Sequence, residues 1–239
     1  MCVTIFVVPK MAEQLVFDLP QRAAMGREAF LVSDSNRQAV ALVDGFADWS
    51  TPVQWIYGPT GAGKSHLGAV LAGRFRILTI EATALTGPQM MALLDGTAAY
   101  EGVIIDRLDR LPPEAEEALF HLLNFARHEG VKILLLSEKT ATQMPLRLPD
   151  LVSRLKAIAS VAIKSPDDSL MRGLMVKLFG DRQIKIEARV VDYLLPRIVR
   201  DYASMANLVG TIDRRALAEK RKITVPMVAE ILESHISDT

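Results

Sequence analysis

One octet constrains this chain more than any other stretch: Gly58-Pro59-Thr60-Gly61-Ala62-Gly63-Lys64-Ser65. It follows the apolar run Val53–Tyr57 and precedes a segment from Lys64 to about Gly73 with apolar residues at helical spacing. Strand, Gly-rich turn and helix in that order reproduce the pattern G-x-x-x-x-G-K-[ST] in full. The glycines let backbone N–H groups curl around phosphates, and the helix N-terminus adds the positive end of its dipole. Lys64 is then placed to reach the β- and γ-phosphates, and the Ser65 hydroxyl to ligate Mg²⁺, with His66 next on the same turn. The bland alternative is a strand-to-helix turn that binds nothing, and the complete pattern in its proper context argues against it. The expected cofactor is ADP or ATP with Mg²⁺.

A nucleotide site of this kind needs an acid at the end of a neighbouring buried strand, facing the metal. Val103-Ile104-Ile105-Asp106 supplies one, so Ser65 and Asp106 are the expected metal partners. Vigorous ATPases of this class carry a second acid directly after the first. Here that position is Arg107, and the next acid, Asp109, is offset by two residues that turn it elsewhere. Nucleotide binding is therefore better supported than fast hydrolysis.

The rest of the chain alternates, then stops alternating. The run 30–32 reads as a strand, and Ser33, Asp34 and Ser35 offer caps for a helix from Asn36 to about Trp49. Residues 75–80, 102–105 and 131–136 read as buried strands separated by helical segments, which implies a parallel sheet covered on both faces. After about Ser165 only helices are expected, over 167–179, 187–197, 200–220 and 224–233. The expected organisation is an N-terminal arm (1–29), an α/β nucleotide-binding domain (30–165) and a small helical domain (166–239).

Composition narrows the class further. The 239 residues carry 28 Lys+Arg against 28 Asp+Glu, unlike the basic balance of a dedicated nucleic-acid module. The single Cys2 supports neither a disulfide framework nor a Cys-rich zinc site. The apolar stretch 2–8 is far short of the ~20 residues a membrane helix needs, and it lacks the flanks of a signal peptide. A cytoplasmic protein with no membrane partner is expected. Met11 is a plausible second start, which makes residues 1–10 a candidate misassigned extension.

With the octet, the Asp106 strand and the helical tail in place, the chain resembles AAA+ proteins of the DnaA-like replication-initiator branch. Residues 30–37, Phe-Leu-Val-Ser-Asp-Ser-Asn-Arg, are similar to the segment that contacts base and ribose, which implies roles for Asn36 and Arg37. Ser137-Glu138-Lys139 resembles the sensor I site, and Leu148-Pro149-Asp150-Leu151-Val152-Ser153-Arg154-Leu155 the arginine-finger segment. Within that branch the chain looks like the Hda-like regulatory adaptors. It stops near the end of the helical lid, leaving no room for a helix-turn-helix DNA-binding domain, and no helicase-interaction domain precedes the core.

The arm strengthens the resemblance. Gln14-Leu15-Val16-Phe17-Asp18-Leu19 is similar to the clamp-binding hexapeptide of these adaptors, with Gln14, Leu15, Phe17 and Leu19 as the anchors. The implied partners are the DnaA initiator and the polymerase sliding clamp, with DNA reached only through the clamp. Self-association is a further expectation. The implied activity is stimulation of DnaA's ATP hydrolysis by Arg154 acting in trans, which prevents over-initiation, with weak or no ATPase of its own. For sensor II two alignments stand: one puts Arg200 at the lid position, the other Ala203.

The arm could pack on the chain's own sheet, and Arg154 could merely pair with Asp150. His121 and His128 share a helix face without a third metal ligand, and Pro112 to Glu117 read as a dipole-favoured helix start. The basic cluster Arg214, Arg215, Lys220, Arg221 and Lys222 reads as a solvated helix face or a contact for DNA or an acidic partner. Met90 and Met91 read as packing residues. Two other function classes fit the octet, a DnaC-type helicase loader and a stand-alone P-loop kinase. The missing second acid and the arm count against the first, and the Arg154 segment and helical tail against the second.

Overall fold

The computed structural model describes residues 31–85 and 100–237, with side chains up to 233. The hexapeptide anchors Gln14, Leu15, Phe17 and Leu19, together with Phe30, Met90 and Met91, lie outside the described residues. Five strands form one sheet: β1 (Val53–Tyr57), β2 (Ile77–Glu81), β3 (Gly102–Asp106), β4 (Lys132–Ser137) and β5 (Ser160–Ala162). All neighbours are parallel, in the order β2-β3-β4-β1-β5.

The apolar runs explain the layering. Successive strand residues point to opposite faces. Trp55, Val103, Ile105, Ile133 and Leu135 fall on one side, against α3 (Glu116–Glu129) and α4 (Pro149–Lys156). Ile56, Ile104, Leu134 and Leu136 fall on the other, against α1 (Arg37–Asp44) and α2 (Lys64–Arg74). A sheet buried on both faces reads as continuous Val/Ile/Leu, and every one of these side chains is at most 2% exposed.

Three local expectations need correction. Leu31 and Val32 form no strand, because the Asn36 amide takes the Leu31 carbonyl at 2.9 Å. The helix expected from Asn36 to Trp49 stops at Asp44, followed by Gly45, a weak helix former, and a 3₁₀ turn over Phe46–Asp48. Its N-cap candidates do not cap it; Asn36 flanks the helix and accepts from the Ser33 N–H instead. In the other direction, β5 went unread. Its pattern of exposed Ser160, half-buried Val161 and exposed Ala162 carries no apolar signal, and only the open edge of β1 makes it a strand.

Beyond the sheet, α5 (Asp168–Gly180), α6 (Ala188–Leu194), α7 (Tyr202–Glu219) and α8 (Val225–Ser237) enclose a second core centred on Met175, Phe179, Val191, Met205 and Ile212. Asp167 and Asp201 cap α5 and α7 by accepting the N–H groups of Leu170 and Ser204 at 2.7 and 2.8 Å. The segment expected to stay helical to Arg197 tightens into a 3₁₀ turn over Leu195–Arg197, where Pro196 has no N–H to give. Among the described residues no helix is long and apolar enough to cross a membrane. Ile104→Ala, which opens a cavity between β3 and α2, is expected to cost about 2–5 kcal/mol, measurable as a shift of the urea midpoint at unchanged slope.

Candidate nucleotide-binding site

Because the strands are parallel, β1, β3 and β4 end at the same edge of the sheet, and the octet, Asp106 and Ser137-Glu138 meet there. Gly63 has φ +97° and starts α2. Gly61 has φ +74°, and a Cβ there would collide with Asp201 of the α7 cap, so the lid helix sits directly on the loop. Lys64 is buried and donates to the carbonyls of Gly58 and Pro59 at 2.7 and 2.8 Å. Burial pushes its pKa down, while the nearby carboxylates of Glu138, Asp109 and Asp106 push the other way.

The Ser65 hydroxyl and Asp106 carboxylate line one cleft, with Gly68, Thr79 and Leu136 behind them. A hydroxyl and a carboxylate, both oxygen donors, suit a Mg²⁺ ion that keeps most of its water and phosphate ligands. One Asp106 oxygen accepts from the Arg107 N–H at 2.8 Å. Arg107, where a second acid would stand, turns to Glu81 on β2. Asp109 is not directed into this cleft; it accepts from the Glu138 N–H at 2.6 Å.

The two sensor I candidates part company. Glu138 reaches the octet and accepts from Thr60 Oγ1 at 2.7 Å. Ser137 is fully buried, accepts from Trp55 Nε1 at 2.8 Å and donates to the Lys139 carbonyl at 2.6 Å, so its hydroxyl braces the strand end.

A crevice between sheet domain and helices continues the site. Leu31, Asn36, Gly61, Ala62, Gly63 and His66 form one wall, and Leu170, Leu174, Lys177 and Tyr202 much of the other. Asn36 is buried, with its amide spent on Leu31 and Ser33, so it shapes the wall. Arg37 points outward and pairs with Asp34 at 2.6 Å. Arg200 pairs with Asp168 at 2.5 Å and is absent from the crevice lining, and Ala203 is exposed on the first turn of α7. Among the residues of the C-terminal helices that do reach the crevice, Lys177 and Tyr202 carry polar groups that the sequence did not single out. Nothing in their helical periodicity distinguishes them from other surface positions. Tyr202 stacks on His66 with ring centroids 6.1 Å apart.

Arg154 lies elsewhere. Near the end of α4 it lines a groove with Pro52, Val53, Arg127 and Ala159, at the start of β1 and β5. Its guanidinium carbon stands 5.2 Å from the Phe120 ring centre, and no carboxylate pairs with it among the described residues, Asp150 included. Its own octet follows the other end of β1, about 16 Å away at ~3.3 Å per strand residue.

A family model described as "Hda, lid domain" matches residues 174–232. The fold is similar to the replication initiator DnaA bound to AMPPCP and single-stranded DNA, at 18% identity over 85% of this chain and 69% of that one, TM-score 0.69. It is similar to domain III of Thermotoga maritima DnaA, at 15% identity over 88% and 96%, TM-score 0.73. The Thermotoga maritima RuvB branch migration motor also matches, at 16% identity over 89% and 72%, TM-score 0.69. The C-terminal helices thus match an Hda lid domain, and the chain as a whole shares the fold of the DnaA and RuvB structures. An uncharacterized protein of Haemophilus influenzae is 27% identical over 195 residues, 78% of this chain and 84% of its own length. The sheet and its flanking helices correspond to the fold of those solved structures, and the residues matched by the lid model fall on the C-terminal helices.

Lys64→Ala removes the charged donor from the octet and is expected to weaken nucleotide binding about 10–100-fold, read by calorimetry. His66 is held below its ordinary pKa, by burial first and the Lys177 charge second. The unfolded chain therefore takes that proton at higher pH than the folded one, and folding stability falls as pH drops through the ordinary histidine value. Lys177→Met is expected to raise the His66 midpoint without restoring it fully, since burial remains; an NMR titration reads this directly.

Proposed function

We propose that this chain is an adaptor that binds ADP or ATP with Mg²⁺ at the octet, tethers itself to the sliding clamp through Gln14, Leu15, Phe17 and Leu19, and uses Arg154 to stimulate ATP hydrolysis by DnaA. Such a protein shuts the initiator off once replication is under way. The observation that carries the reading is the position of Arg154: charged, unpaired among the described residues, and at the opposite end of β1 from its own phosphate loop. From there it serves only a nucleotide held by another subunit, as an arginine finger does. The Hda-type lid and the DnaA-like base support DnaA as that subunit. A weak intrinsic ATPase fits Arg107 in place of a second acid and Arg200 turned to Asp168 rather than to the crevice.

The chemistry assigned to each residue is limited and specific. Lys64 and the backbone of Gly61–Gly63 would bind the phosphates, and Ser65 and Asp106 would hold Mg²⁺, which screens the phosphate charge. Glu138, through Thr60, would report on the loop. Arg154 would place positive charge on the partner's γ-phosphate as the transferred group separates, an effect worth ~10³–10⁵ in rate in GTPase systems. The hexapeptide would bind with affinity of roughly micromolar order, raised by avidity on a multivalent ring.

Binding to the organism's own clamp tests the tether. Saturable micromolar binding is expected, lost in a Gln14→Ala/Leu15→Ala double variant, and no binding by the unaltered chain overturns it. Arg154→Ala is expected to keep clamp and nucleotide binding while losing the stimulation of DnaA hydrolysis. Full stimulation by that variant removes the finger assignment.

A further inference from the structure

Sequence reading leaves Glu116 as one of several acids that favour the start of a helix. The structure gives it a different task. It is only 3% exposed. Both its carboxylate oxygens accept from the Arg147 N–H at 3.0 Å, and Oε2 also accepts from the Leu148 N–H at 2.7 Å. These are the two amides immediately before α4, whose first residue, Pro149, has none. The carboxylate therefore fills the donor end of α4 from another helix, where negative charge is also favoured by the helix dipole.

Four residues on, along the same face of α3, Phe120 lies under the Arg154 guanidinium at the other end of α4. Leu151 and Leu155 fill the space between, packed in the core shared with Leu119 and Leu122. One helix thus grips α4 at both ends: by a buried charge at the N-terminus, by an aromatic ring at the C-terminus. Charge-assisted hydrogen bonds are directional and short, whereas leucine contacts tolerate sliding. The angle and axial position of α4 depend on the carboxylate.

We propose that Glu116 is a positioning residue for Arg154. Its buried carboxylate fixes α4 so that the guanidinium is presented at the groove beside β5, and it touches neither nucleotide nor partner. This rests on the trans role of Arg154, but the placement itself can be tested without it.

The test uses the full chain with Glu116→Ala, Glu116→Asp and Glu116→Gln, each with and without Arg154→Ala. In the isolated protein, the Arg154 Nε–Hε NMR resonance, identified by its loss in Arg154→Lys, carries a ring-current shift from Phe120. Glu116→Ala is expected to move it toward the position of a free arginine. Glu116→Gln, whose amide oxygen still accepts, is expected to leave it close to the original. Should Glu116→Ala not fold, Glu116→Asp, one methylene short of both amides, must displace the same resonance. An unmoved resonance in the folded variant overturns the proposal.

With the ATP-bearing partner, Glu116→Ala is expected to lower the stimulated rate by about 10–100-fold, with nucleotide binding at the octet unchanged and no further loss once Arg154 is alanine. Equal losses in both backgrounds mean a merely structural role and also overturn it. If Arg154→Ala still stimulates fully, the finger reading falls, and the resonance alone decides the placement.

Discussion

Parallel pairing is the constraint on which everything else depends. When all strands of a sheet run the same way, every strand C-terminus lies on one edge and every N-terminus on the other. The octet, Asp106 and Glu138 follow β1, β3 and β4 and so converge on one edge. Arg154 precedes β5 and is carried to the opposite edge beside the start of β1. The chain therefore has its Gly-rich octet at one edge and, about a strand length away, a cation that cannot reach it. That separation is geometric and holds whatever the protein binds.

The edge that carries the octet is held by charge balance. Lys64 is the buried cation there, desolvated and anchored on two loop carbonyls, with three carboxylates close enough to favour its charge. All three are tied to the backbone or to the loop: Asp106 to the Arg107 N–H, Asp109 to the Glu138 N–H, Glu138 to Thr60. The lid adds Asp201 packed on Gly61 and Tyr202 stacked on His66. No arginine lines the crevice among the described residues. The lid's contact with the phosphate loop is thus made by a helix cap and an aromatic ring, and its cation, Lys177, enters from a different helix.

The opposite edge is organised by α3. Its apolar face fills the sheet core, and its first two turns hold the two ends of α4. A single amphipathic helix connects the sheet core to the placement of Arg154. This couples core packing to the exposed groove without any contact between the groove and the octet.

Much of this was legible in the sequence. The octet, the Asp106 strand and the continuous Ile/Leu/Val runs are local or periodic signals, and by residue type and spacing alone they determined a parallel α/β base and the strand–turn–helix that carries the octet. The order of motifs pointed to a DnaA-related chain with an Hda-type lid. What the sequence could not decide depends on partners distant along the chain. Ser137 and Glu138 are adjacent, yet Trp55 draws one inward and Thr60 the other outward. Arg200 is taken by Asp168, while Lys177 and Tyr202 reach the crevice through the packing of α5 and α7. β5 exists because β1 has an open edge. Glu116 looked like a helix-dipole residue until the fold brought Arg147 and Leu148 to it. Periodicity reports which face of an element is buried; only tertiary structure decides which polar group waits on the other side.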